Sequence, residues 1–210
     1  MRTSYSSTPD PMRHLEIFGF LARHYKKLAR TLDRHLKNES QAFDRKVTKL
    51  RVSTARESLK SWALKDLYPD AARYGIFIAM YSQFEYYLNE TCKELEPMHK
   101  IKLSDLDHRG IQKVSVYLTK VAGIESPFSD NSWQKLNDLN KLRNQIVHAN
   151  GRIDSTNKIK DVVERINTWA PLSTEDSRIT LSREFNPKIS DMLHSSAKEL
   201  FTKLRSYVWT

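Results

Sequence analysis

Apolar residues recur at intervals of three and four along most of the chain, which is the spacing of one face of an α-helix. In the first third, the residues at this spacing are Leu15, Phe18, Leu21, Tyr25, Leu28 and Leu32. A second set follows, consisting of Phe43, Val47, Leu50, Leu59 and Trp62. Because the polar residues 37–41 separate the two sets, the pattern predicts a helical hairpin that turns there.

The same periodicity predicts most of the remaining helices. A broad apolar face over residues 71–95 is typical of a central core helix, and we expect the proline-containing segment 66–70 to break the chain before it. Ser104, with Asp107 three residues later, is typical of a helix start, so a helix is expected from there to Gly123. Further helices are predicted over residues 131–148, 159–169 and 187–207.

One segment has a different pattern. Residues 178–185 alternate Ile179, Leu181, Arg183 and Phe185, which permits a short strand or extended segment. The expected fold class is therefore all-α, a helical bundle with at most this one extended piece. A length of 210 residues fits one domain with an extension. We assign residues 1–66 to a basic amphipathic helical hairpin and residues 67–210 to the helical domain.

The charge is uneven along the chain. The whole chain carries 35 Lys and Arg against 25 Asp and Glu, for a net charge of +10. Residues 1–66 hold 15 basic and 7 acidic side chains, so they account for +8 of that excess. Such a surface attracts nucleic-acid phosphates, although a solvated face of an amphipathic helix is the alternative. The candidate RNA-binding residues are Arg23, Lys26, Lys27, Arg30, Arg34, Lys46 and Lys49.

Several classes of site are excluded. The single cysteine, Cys92, rules out an intramolecular disulfide and a multi-cysteine zinc site. The chain has no phosphate-binding loop, dinucleotide-binding, G-x-S-x-G or H-E-x-x-H motif, and its seven histidines are scattered. We therefore expect no metal and no cofactor. The N-terminal segment has no apolar core of a signal peptide, and no apolar stretch is long enough to cross a bilayer, so we expect a soluble cytoplasmic protein with no membrane contact.

The most informative segment is KLRNQIVHANG, residues 141–151, in which Arg143 and Asn144 are followed by His148. This arrangement resembles the R-N-x-x-x-H signature of the HEPN superfamily, a group of small α-helical proteins of which many cleave RNA. The upstream helix YGIFIAMYSQFEYYLNETCKEL and the C-terminal helical segment follow the order found in that superfamily. The resemblance covers residues 71–210.

This resemblance implies a function and a set of partners. It implies a metal-independent endoribonuclease that acts as a homodimer in bacterial defence or as a toxin, with an antitoxin or a defence protein as a further partner. His148 would be the acid or base, Arg143 would hold the phosphate, and Asn144 would orient His148 or contact the phosphate. The alternative is a non-catalytic HEPN module that dimerises and binds RNA or a partner protein. Superfamily toxins that a nucleotidyltransferase modifies often carry H-x-Y, whereas here Asn150 takes the place of the tyrosine.

Helical geometry adds two considerations. At 100° per residue, Arg143 falls on the apolar side of its helix between Leu139 and Val147, where a guanidinium needs a partner. Glu85 lies within the apolar stripe of the helix over residues 71–95, and our hypothesis is that it meets Arg143 or His148 and orients that side chain. The alternatives are structural: Glu85 at the edge of the stripe in water, Arg143 paired with a core carboxylate, and His148 favoured by the helix dipole.

Overall fold

The computed structural model describes residues 10–50, 54–153 and 159–208. These residues are mostly helical, as the apolar periodicity predicts. The helices are α1 (Arg13–Leu50), α2 (Ala55–Trp62), α3 (Tyr68–Leu95), α4 (Gly110–Val116), α5 (Asp130–Ala149), α6 (Ile159–Asn167) and α7 (Phe185–Val208). Between α6 and α7 lie the strands β1 (Leu172–Glu175) and β2 (Arg178–Leu181). Two π-helical segments follow α2 and α4, at Ala63–Leu67 and Tyr117–Val121.

Helix α1 continues through residues 37–41, so the turn predicted there is wrong. This segment contains neither proline nor glycine, and polar side chains do not end a helix when they can point into water. A helical pair nevertheless exists, because α2 contacts the C-terminal half of α1: Lys60 Nζ lies 5.1 Å from the centre of the Phe43 ring. The connection between these helices, residues 51–53, lies outside the described residues.

The break predicted at residues 66–70 is also wrong, because helical backbone continues from α2 through Ala63–Leu67 into α3. A proline inside a regular α-helix clashes with the carbonyl four residues earlier. Here the π-helical segment comes directly before Pro69, and the N–H of Tyr68 bonds to the carbonyl of Ala63, five residues back. This wider turn accommodates the proline within a continuous helix.

Helix α4 begins later than the sequence predicts. Asp107 does not cap a helix start; instead Asp105 accepts a hydrogen bond from the N–H of Lys102 at 2.9 Å in a short 3-10 turn. The helix itself begins at Gly110, whose φ of +53° redirects the chain. The helical backbone that follows ends before Gly123, as predicted.

Strands β1 and β2 form a two-stranded antiparallel hairpin in which Leu172 pairs with Leu181 and Glu175 with Arg178. The intervening Asp176 and Ser177 both have positive φ, as a two-residue hairpin turn requires. The extended segment expected over residues 178–185 is therefore present but shorter, since α7 already begins at Phe185. The sequence does not predict β1, because only its first residue is buried.

The chain forms two compact units. The first comprises the described parts of residues 1–22, 81–140 and 192–210, and the second comprises residues 23–80 and 141–191, again as far as they are described. In the core of the first unit, the Phe18 and Phe84 rings lie 5.0 Å apart, and the Tyr81 hydroxyl donates to the carbonyl of Leu136 at 3.2 Å. The predicted division of the chain at residue 66 stays a prediction.

The second unit packs α3 against the β-hairpin and the start of α7. The Phe77 and Phe185 rings meet edge to face at 5.5 Å, and Ile179 is fully buried in the same unit. The guanidinium of Arg73 bonds to Asp33 at 2.8 and 2.9 Å and to the carbonyl of Leu181 at 3.0 Å. These contacts tie α1, α3 and β2 together. Across the described residues, no helix has the length and apolar character needed to cross a membrane.

Two glycines should respond in opposite ways to alanine. Gly151 has φ of +73°, and an added Cβ would overlap the Tyr74 hydroxyl, so Gly151→Ala should lower the free energy of unfolding by about 2 kcal/mol or more. Gly75 lies in α3 with open space around it, so Gly75→Ala should raise that free energy by about 0.5–1 kcal/mol. Urea unfolding of both variants measures this, and a neutral Gly151→Ala would contradict the described turn.

Candidate functional site

The motif residues lie on the last turns of α5, whose buried face is formed by Leu136, Leu139, Leu142 and Ile146. The prediction that Val147 belongs to this face is wrong, because Val147 is 45% exposed. Near the C-terminal end of the helix the buried face is centred between Leu142 and Ile146, about 120° from Val147 around the axis. Arg143 falls between the two directions and is half-buried.

Arg143 and Asn144 are in direct contact. The Nη1 of Arg143 donates to Oδ1 of Asn144 at 2.9 Å. The Nε of Arg143 is buried and has no hydrogen-bond partner among the described residues. Within the described part of its own unit, the guanidinium is paired with no carboxylate. Because burying a polar group without a partner costs free energy, this arrangement makes Arg143 a candidate ligand-binding residue.

His148 is exposed one turn after Asn144, on the same side of α5. The two positions are about 40° apart around the helix axis and about 6 Å apart along it. The imidazole is therefore open to a ligand or to a second chain. An imidazole can both accept and donate a proton, which suits it for acid–base chemistry.

A left-handed turn ends α5 directly after the motif, as the Asn-Gly pair predicts. Asn150 and Gly151 have φ of +50° and +73°, and the N–H of Gly151 bonds to the carbonyl of Gln145 at 3.2 Å. The chain then pairs with β2, since the N–H of Ile179 donates to the carbonyl of Gly151 at 2.9 Å. This pairing fixes the end of the helix that carries His148.

Two side chains that the sequence does not single out hold this turn. The Tyr74 hydroxyl donates to the carbonyl of Ile179, and its pKa is raised by burial, so it remains a donor. Arg178 donates from Nε to the carbonyl of Asn150 at 3.2 Å, and its guanidinium lies 5.4 Å from the centre of the Tyr74 ring. Tyr74 and Arg178 lie more than 100 residues apart, so no local sequence signal connects them.

A groove of about 1210 Å³, which we call the α5 groove, borders the same end of the helix. Its wall includes two residues of α5: Gln145, three residues before His148, and Ala149, the residue after it. Its charges balance, since four acidic side chains face four basic ones: Asp66, Asp70, Glu175 and Asp176 against Lys65, Arg73, Arg152 and Arg178. Burial raises the pKa of Asp70, although Arg178 and Arg73 act in the opposite direction.

Glu85 is half-buried on α3 and belongs to the first compact unit, whereas Arg143, Asn144 and His148 belong to the second. Its Oε1 lies 2.9 Å from the position that a Cβ would occupy at Gly110, which explains why a glycine suits that position. The hypothesis that Glu85 orients Arg143 or His148 stays a prediction.

The predicted RNA-binding residues all lie on α1, and most are exposed: Arg23, Lys27, Arg30, Arg34, Lys46 and Lys49. Lys26 differs, because its Nζ forms an ion pair with Asp191 at 2.6 Å. No group of three or more His, Cys, Asp or Glu side chains within the described ranges is arranged to hold a metal ion. Comparisons with protein-family models, with curated proteins and with solved structures gave no match.

The two alternatives for Arg143 predict opposite stability effects. If Arg143 serves a ligand, Arg143→Met should leave the free energy of unfolding unchanged or raise it by about 1 kcal/mol, because it removes the unpartnered buried Nε. The matched control is Arg73→Met, which leaves Asp33 unpaired and should lower that free energy by about 2–3 kcal/mol. Chemical denaturation compares the two. A loss of similar size for both variants would indicate a structural role for Arg143.

Proposed function

We propose that this protein is a metal-independent endoribonuclease whose reaction centre is formed by Arg143, Asn144 and His148. One observation carries the proposal: a half-buried guanidinium whose Nε has no partner among the described residues lies five residues before an exposed imidazole on the same helix. A cation in that situation favours an anionic ligand. The likeness of the segment to the R-N-x-x-x-H signature of the HEPN superfamily identifies the expected anion as an RNA phosphate.

The chemistry needs few protein groups, because RNA carries its own nucleophile. The ribose 2′-hydroxyl attacks the adjacent phosphorus, its proton goes to a base, and the leaving 5′-oxygen receives a proton from an acid. His148 can perform either transfer. Arg143 can hold two phosphate oxygens with its planar guanidinium. The products of this route are a 2′,3′-cyclic phosphate and a 5′-hydroxyl.

Asn144 is a positioning residue in this scheme. Its Oδ1 accepts from Nη1 of Arg143 and so restricts the rotation of the guanidinium. An amide does this without neutralising the positive charge, whereas a carboxylate would neutralise it. The guanidinium therefore remains available to a phosphate.

A complete centre requires a second copy. Each α5 carries one imidazole. The reaction has two proton transfers on opposite sides of the phosphorus, so it needs either two acid–base groups or one group that acts first as a base and then as an acid. A two-fold contact between copies of α5 would bring two Arg143 and two His148 together, since an isologous interface pairs each patch with itself. Val147, exposed beside His148, supplies apolar surface for such a contact. A role in bacterial defence or as a toxin, with an antitoxin or defence protein as partner, rests on the HEPN resemblance.

The second candidate function is a non-catalytic HEPN module that dimerises through the same helices and binds RNA or a partner protein. The exposed basic residues of α1 favour it, because they account for RNA binding without requiring cleavage. The two functions differ in whether RNA is cut.

Replacing His148 tests the proposed chemistry. In EDTA, His148→Ala should slow the cleavage of a labelled RNA by about 10²- to 10⁴-fold, because a general acid or base contributes that much. The matched control is His108→Ala, which removes an exposed imidazole outside the motif and should cut at the wild-type rate. An inactive wild-type protein, or an active His148→Ala variant, would refute the nuclease; RNA binding without cleavage would favour the second candidate.

Replacing Val147 tests the proposed dimer. Val147→Asp places a charge in the expected contact, so it should convert the dimer to a monomer and abolish cleavage while leaving the thermal unfolding midpoint nearly unchanged. The control is Ile101→Asp, at a site of similar exposure, 47% against 45%. Light scattering after size exclusion gives the mass of each variant. A wild-type protein that is monomeric at micromolar concentration and still cleaves RNA would contradict the shared centre.

A further inference from the structure

We infer that a basic groove along α1 binds the phosphate backbone of single-stranded RNA. This groove, which we call the α1 groove, has a volume of about 530 Å³ and lies within the second compact unit. Six basic side chains from separate parts of the chain line it against two acidic ones, Asp33 and Glu184, for a net formal charge of +4. The six are Arg30, Arg34, Lys37, Lys65, Arg73 and Arg183.

The α1 wall of the groove is part of a longer basic stripe. Exposed basic residues follow one another at intervals of four, three, four and three, which keeps them within a narrow sector of the helix surface. The residues are Arg23, Lys27, Arg30, Arg34 and Lys37. The stripe extends over fifteen residues and thus about 21 Å along the axis. A stripe of this length can contact several phosphates of an extended strand.

The ion pairs within the groove leave its α1 wall positively charged. Asp33 is paired with Arg73 at 2.8 Å, so this acid does not oppose a bound anion. Two further cations of the groove are also paired: Lys65 with Asp44 at 3.0 Å and Arg183 with Glu184 at 3.7 Å. The α1 wall, formed by Arg30, Arg34 and Lys37, forms no ion pair with any residue that the structure describes. Their charge is therefore available to a ligand.

The arrangement differs from a solvated helix face. A solvated face is convex and owes its charges to one helix, whereas this groove also collects Lys65 from the π-helical segment, Arg73 from α3 and Arg183 from the chain after β2. Lys46 and Lys49 provide the contrast within the same helix, since they are exposed and do not line the groove. Concavity and convergence from several elements are features of a binding site.

The neighbouring α5 groove favours a strand over a small phosphorylated ligand. Lys65 and Arg73 line both grooves, so the two are adjacent. The wall of the α5 groove reaches Gln145, three residues before His148, and Ala149, the residue after it. If the proposed nuclease function holds, a strand held by its phosphates on α1 would continue toward the reaction centre. The identity of the strand as substrate rests on that function; the binding itself does not.

The experiment measures RNA binding in a His148→Ala background in EDTA, so that no RNA is cut. A fluorescein-labelled 20-nucleotide single-stranded RNA is titrated at several salt concentrations, and the anisotropy gives the affinity. The test variant is Arg30→Ala/Arg34→Ala/Lys37→Ala. It should bind about tenfold or more weakly at low salt, and the slope of log affinity against log salt should fall by about 2, because each phosphate contact of a single strand contributes about 0.7.

The matched control is Lys46→Ala/Lys49→Ala/Arg56→Ala, which removes the same charge from exposed positions outside the groove. Its affinity and salt slope should stay close to those of the parent. Equal losses in both triple variants would show only a general charge effect, and an unchanged test variant would show no contact at the groove; either result overturns the inference. Circular dichroism confirms that each variant is folded.

Competition distinguishes the possible sources of phosphate. ATP and inorganic phosphate should displace the RNA only at millimolar concentration, and single-stranded DNA of equal length should compete about as well as RNA, since the groove contacts the backbone. Displacement by micromolar ATP would identify a nucleotide site and overturn the inference. Because binding is measured without His148, an inactive wild-type enzyme leaves the inference standing, and a groove that binds no RNA leaves the nuclease test unaffected.

Discussion

The structure around the motif depends on one steric constraint, the left-handed turn at Asn150 and Gly151. Gly151 leaves the space that the Tyr74 hydroxyl needs in order to reach the carbonyl of Ile179, so a side chain at this position would disturb the turn and the β-hairpin together. Arg178 adds a second restraint through its bond to the carbonyl of Asn150. These contacts fix where α5 ends. Since His148 lies two residues before Asn150, they also fix where the imidazole is presented.

The hydrogen bonding of Arg143 is the observation that indicates a chemical role for the motif. A chain selected only for stability would have placed an apolar residue at this edge position or given the guanidinium a carboxylate, because a buried polar nitrogen without a partner costs about 1–3 kcal/mol. Asn144 provides a neutral acceptor instead, so the direction of the guanidinium is restricted while its charge remains. Binding sites commonly contain residues that lower the stability of the free protein, because the ligand supplies the missing partner.

The sequence predicts the helices whose apolar period is sustained, namely α3, α5, α6 and α7, because burial of one face dominates their stability. It fails where a local signal competes with tertiary context: the polar residues 37–41 stay helical, and Pro69 is accommodated by a π-helical segment. The motif itself is contiguous and so is visible in the sequence. The sequence does not point to Tyr74, Lys65 and Arg178, since only folding brings them to the end of α5 or to the α1 groove.

The two grooves differ in the side chains that line them, and this difference indicates how backbone binding and sequence selection would be divided between them. The α1 groove is lined by charged, mostly basic, side chains and by polar and aliphatic ones, and, as far as the described residues extend, by no aromatic ring. Such a surface contacts phosphates and tolerates any base sequence. Under the proposed function, selection among RNA sequences would therefore have to arise nearer the proposed reaction centre. The α5 groove offers a suitable group, because Trp62 lines it and is 50% exposed, and an exposed indole can stack on an unpaired base. Under the proposed function, affinity would come from α1 and choice of cleavage site from the end of α5.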